Sequence, residues 1–143
     1  MPAIKKIKKR TLVLFLISLL IVVCFIIFSR PVVITSDSGK AFYLFWSWDK
    51  GNVEFINSVT GAKVDISFSL SRDFNNFHMK TNEATENYYT DGTYDINERL
   101  KKERRTSLSF SSMKGMKLTL GNRVFDIKND SLKVELLWST GLF

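Results

Sequence analysis

The sequence predicts a mainly β fold, with α+β as the alternative. A single N-terminal transmembrane helix should precede a small antiparallel β-sandwich or meander of about eight strands with one short inserted helix. Three observations lead there. Residues Thr11 to Ser29 carry no charge. Downstream, short runs alternate apolar and polar residues, most clearly from Lys63 to Leu70. Turn-forming clusters such as Ser36-Asp37-Ser38-Gly39, Asp49-Lys50-Gly51-Asn52 and Thr60-Gly61-Ala62 separate those runs.

The uncharged stretch is 19 residues long. At about 1.5 Å per residue its helix reaches roughly 28 Å, close to the ~30 Å hydrocarbon thickness of a bilayer. A helix satisfies its own backbone hydrogen bonds there. Lys5, Lys6, Lys8, Lys9 and Arg10 precede it, and only Arg30 and Lys40 follow closely. The positive-inside rule then expects a cytoplasmic basic tail at 1–10, a transmembrane helix at 11–29 and an extracytoplasmic domain at 30–143. The exit, Phe28-Ser29-Arg30-Pro31, has no small-x-small cleavage site, so the segment is expected to stay as an anchor. Ile21-Val22-Val23-Cys24 is a poor lipobox because Val23 is bulky, and Cys24 is expected to pack as a small apolar residue.

The net charge of +7 would suggest nucleic acid if it were spread over the chain. It is not. Five of the 21 basic residues and none of the 14 acidic ones lie before residue 30. The remainder is nearly balanced, so no nucleic-acid partner is expected. Residues 30–143 contain no cysteine, which excludes disulfides and thiolate metal sites from them. About 110 residues suffice for one hydrophobic core.

Pro31 should end the helix. Val32 to Thr35 reads as a short strand, and Phe42 to Trp48 as another with Phe42, Leu44, Trp46 and Trp48 on one face and Tyr43 and Phe45 on the other. Both faces are apolar, which predicts a strand covered on both sides. Val53 to Val59 is a further strand. Lys63 to Leu70 places Val64, Ile66, Phe68 and Leu70 inward. Residues 71–93 lose periodicity and read as a long irregular excursion. Asp95 then suits a helix N-cap with Glu98 three residues on, and Lys101 to Arg105 would put cations in the last turns of that helix. Strands are expected at Ser107–Ser112, Met116–Leu120, Arg123–Lys128 and Leu132–Trp138, with hairpin turns at Gly121-Asn122 and Asn129-Asp130.

Few residues suggest a chemistry. His78 is the single histidine and falls in polar sequence. Asn87, Asp91, Gly92, Asp95 and Glu98 partly match a twelve-residue calcium loop, but Tyr89 stands where an oxygen ligand belongs. The basic run Lys101, Lys102, Arg104 and Arg105 suits an acidic partner or lipid headgroups. Tyr43 and Trp48 are the aromatic residues most expected to remain available for docking. No catalytic or cofactor-binding motif occurs, so no cofactor is expected and the chain is not expected to be an enzyme.

The layout resembles bitopic envelope proteins of bacteria: a basic tail, one helix and a small β domain outside. That implies a bacterial inner membrane with a periplasmic domain. The expected function is a single-pass, membrane-anchored binding or inhibitory module acting on a protein partner in the envelope, with residues 72–93 and the basic run as its contacts. One alternative is a small envelope hydrolase using Asp73, His78, Glu83 or Glu86. The other is a structural subunit whose helix associates with membrane helices.

Overall fold

The computed structural model describes residues 2–112 and 114–138. Residue 1 of the expected tail, and residues 113 and 139–143 of the expected domain, lie outside the described residues. Helix α1 (Pro2–Phe28) runs without a linker into β1 (Ser29–Ser36). β2 (Gly39–Trp46), β3 (Lys50–Ile56), β4 (Lys63–Leu70) and β5 (Phe74–Lys80) follow. Then come α2 (Glu83–Thr90), α3 (Ile96–Leu100), β6 (Ser107–Ser112), β7 (Met116–Leu120), β8 (Arg123–Ile127) and β9 (Asp130–Leu136).

The strands form two antiparallel sheets, β2-β1-β9-β6 and β5-β4-β3-β7-β8. Their inner faces meet in one core. Val32, Ile34, Phe45, Leu108 and Val134 of the smaller sheet pack with Val53, Phe68, Leu70, Leu118 and Leu120 of the larger. The sandwich and the mainly β class are therefore as the alternation implied, because the period-2 apolar faces of two sheets bury one another here. The larger sheet is wider than its partner. Helices α2 and α3 cover the excess, with Ile96 packed beside Val64 and Met79.

α1 absorbs the basic tail as well as the apolar stretch. Its segment Lys8–Phe28 has a mean hydropathy of 3.3, none of it buried within the protein, and is long and apolar enough to cross a membrane. Ser29, expected to be helical, is instead the first strand residue. The junction is closed by hydrogen bonds. Arg30, fully buried, donates to the carbonyls of Ile27 (2.7 Å), Ser29 (2.8 Å) and Ser71. Ser47 N–H donates to the Phe28 carbonyl at 2.9 Å. Two of the carbonyls that a helix leaves unpaired at its C-terminus are thus satisfied by protein, and the positive guanidinium faces the negative end of the helix dipole.

Several expectations need correction. Residues 71–93 are not irregular: they hold β5 and α2. Phe74 and Phe77 are both buried although three residues apart, because a bulge opposite Ser67 to Ser69, with Asn76 at φ 52°, shifts the register and hides the alternation. β2 is an edge strand covered on one face only; Phe42 remains 62% exposed and Leu44 41%. Asn129-Asp130 is not a hairpin, since β8 and β9 belong to different sheets. Asn129 takes a positive φ of 52° in the turn that carries the chain across. Finally, α3 ends at Leu100, so Lys101 to Arg105 lie beyond it. Arg105 pairs with Phe74 along the edge of β5 and pulls the chain out of the helix.

Candidate binding cleft

Strand registers show which end of the sandwich lies away from α1. β1 leaves the helix at Ser29 and finishes at Ser36, opposite Leu132 of β9, while β6 ends at Ser112 opposite Asp130. In the larger sheet, Lys50 follows the Trp46–Asp49 turn, and Ile56 is at the opposite end of β3. At this far end the smaller sheet stops at β6, whereas the larger one continues to β5. The step between them is a cleft of about 680 Å³.

Its lining comes from five elements. Phe55, Ile66 and Met116 contribute from β3, β4 and β7, Phe110 from β6, and Tyr88 and Tyr89 from α2. The wall formed by α2 is fastened in place. Asn82 caps the helix by accepting the Thr85 N–H at 2.9 Å. Asn57 donates to the Tyr89 hydroxyl at 2.8 Å and accepts the N–H groups of Val59 and Thr60. The hydroxyls of Thr60 and Thr85 lie 2.7 Å apart. Among the described residues of the lining, Lys114 alone is charged. An adjoining hollow of about 520 Å³ shares Phe55, Ile56 and Met116, and carries Lys63, Lys117 and Lys128 against Glu54 and Asp126. There Lys63 is 2.9 Å from Glu54 and holds its carboxyl below the usual range, while Glu54 raises the Lys63 amine in return.

The opposite wall, β6, is the outer strand of its sheet. The Leu136 N–H donates to the Thr106 carbonyl at 2.9 Å. Antiparallel alternation therefore turns the backbone groups of Leu108 and Phe110 toward β9 and those of Ser109 and Ser111 toward the cleft. The outer edge of β5 is treated differently. Asn97 receives the Met79 N–H at 2.7 Å and donates to the Met79 carbonyl at 3.0 Å, and Arg105 exchanges two backbone bonds with Phe74. Of the two edges that flank the cleft, that of β5 is thus capped by side chain and turn, whereas among the described residues that of β6 is left available to a strand. No protein-family model matches this chain, and neither does any curated protein or solved structure.

The residues singled out from sequence lie elsewhere. Tyr43 faces the core, edge-on to Phe125 and beneath the Arg123 guanidinium at 5.0 Å. Trp48 is 61% exposed and stacks on Trp46, far from the cleft. Lys101 and Lys102 are exposed, Arg104 is 3.4 Å from Asp73, and Arg105 is 2.7 Å from Glu103. Asn87 lies within α2, Asp91 caps its end, Asp95 caps α3 through the Asn97 N–H, and Glu98 lies inside α3. These four are therefore helix and cap residues, not one loop. Among the described residues no group of three or more His, Cys, Asp or Glu could hold a metal. Asp73 sits in the turn before β5, His78 on its exposed face, and Glu83 and Glu86 in the first turn of α2. Neither hollow is lined by any of these four. The sequence analysis placed Ile66 inward and gave Phe55, Phe110 and Met116 no role beyond their strands. The available signal was the uncharged, serine-alternating run Ser107 to Ser112, which lacks the lysine or proline that usually blunts an edge.

Proposed function

We propose that this chain is a membrane-tethered binding module, with α1 as the anchor and the far end of the head as the receptor surface. Its ligand is an extended segment of a protein partner that adds a strand to β6. Strand addition draws affinity from main-chain hydrogen bonds and specificity from alternate side chains entering pockets. The open edge of β6 above an apolar cleft carries this reading. Lys114 in the cleft lining favours a segment that pairs apolar residues with a carboxylate. The five N-terminal cations support a cytoplasmic N-terminus and a head in the bacterial envelope. A tether raises the effective concentration of the head for partners near the membrane.

Photo-crosslinking tests this. A benzoylphenylalanine in place of Tyr88, in the full chain in its membrane, should give one discrete protein adduct. Ser109→Pro should abolish that adduct while leaving the circular dichroism unchanged, because the Ser109 N–H faces away from β9. An adduct indifferent to Ser109→Pro, or none at all, would refute strand addition at this edge.

A further inference from the structure

All three tryptophans of the chain surround the point where α1 meets the head. Trp46 stands edge-on to Phe25 with ring centroids 5.7 Å apart, and Trp48 lies 5.7 Å from Phe28. The two indoles stack on each other at 5.5 Å. The Leu137 N–H donates to the Pro31 carbonyl at 2.9 Å, which brings Leu137 and Trp138 beside the first residues of β1. Trp48, Leu137 and Trp138 are 61%, 52% and 49% exposed. The turn presenting Trp46 and Trp48 is held by Asp49, whose carboxylate accepts the Trp46 N–H at 2.8 Å and whose own N–H donates to the Trp46 carbonyl at 3.0 Å.

Phe25 and Phe28 belong to the last turns of the apolar segment, so rings packed against them lie at the depth where that segment ends. Indole is favoured there because its ring is apolar and its N–H still finds water or a headgroup. Lys50 and Arg72 are exposed at this same end of the sandwich and suit anionic phospholipid, whereas Arg104 there is paired with Asp73 at 3.4 Å. The linker-free junction prevents the head from standing off.

From this we infer that the base of the head is a lipid-binding surface: Trp46, Trp48 and Trp138 are seated in the interfacial layer of the bilayer that α1 crosses. The head then rests flush on the membrane, with the cleft directed away from it. This rests on α1 being a membrane span, and the test separates the two.

The full chain is reconstituted in vesicles of phosphatidylcholine and phosphatidylglycerol. A variant with Trp46→Phe and Trp138→Phe leaves Trp48 as the single reporter. Bromine placed high on the lipid acyl chains should lower Trp48 emission about twofold, while aqueous acrylamide has little effect. If the chain stays in the vesicles through alkaline carbonate but acrylamide quenches and bromolipid does not, the lipid seat is wrong and the span stands. Extraction by carbonate would overturn both. Should the double variant fail to fold, the unmodified chain reports the same contrast as an average over its three indoles.

Discussion

Gly51 lies opposite Phe68 in the β3–β4 ladder, and the Phe68 ring occupies the space a side chain would need. A Cβ at this position would be driven into that ring. Gly51→Ala should therefore cost about 1–3 kcal/mol by overpacking, read as a lower denaturation midpoint. Its dihedral angles are not the issue, since φ is not positive there. Arg30 is the other decisive residue. Burial lowers the pKa of its guanidinium, yet an arginine keeps its proton in a protein. The charge is tolerated because three carbonyls accept from it. Arg30→Met keeps the bulk but removes those donors. The expected loss is about 1.5–3 kcal/mol for each charge-assisted bond that water does not replace. Thermal unfolding in detergent micelles would measure it. In the sequence Arg30 was visible only as a flanking charge, because its acceptors come partly from Ser71, 41 residues away.

At the scale of elements, the turn between β1 and β2 is tied to β9 through one carboxylate. Asp130 accepts the Asp37 N–H at 3.0 Å and the Ser131 N–H, and the Ser131 hydroxyl donates to Asp37 at 3.1 Å. The Asp37 N–H is the main reason the Asp130 carboxyl is held below its usual value. A folded-state pKa below the unfolded one gives stability that is complete above the unfolded value, about 3.9, and lost as pH falls through the folded value. The acid limb of a stability–pH profile should therefore be shallower in Asp130→Asn than in the parent. Identical limbs would show that the turn contributes nothing. Element legibility followed the same logic of locality. β4, β6 and β7 were readable to the residue because period-2 alternation or clear turn signals mark them locally. β5 was missed because its bulge puts two buried phenylalanines three residues apart. α2 was missed because Glu83-Ala84-Thr85-Glu86-Asn87-Tyr88-Tyr89-Thr90 has little apolar periodicity; its cap and its bonds to the 57–60 turn hold it as a helix.

For the whole molecule, α1 and the head are one mechanical unit, because α1 enters β1 directly and the Trp46–Asp49 turn packs on its last turns. Inserting a flexible Gly-Ser segment between Phe28 and Ser29 should uncouple them. Ile27 and Phe28 would lose the Arg30 and Ser47 donors, and the head would reorient faster. Fluorescence anisotropy decay of a probe on the head in nanodiscs should gain a fast component; an unchanged decay would show that the head is held by other contacts. The sequence by itself determined the long apolar N-terminal helix, the β class, the near-neutral head and most strand positions. Each of these depends on neighbours within a few residues. Tertiary structure alone decided which strands share a sheet, that Asn129 carries the chain between sheets, and that β5 is capped while β6 is open. It also brought Phe55, Ile66, Tyr88, Phe110 and Met116 to one cleft and the three indoles to one collar. Pairing between sheets and packing between layers depend on distances that no local pattern encodes.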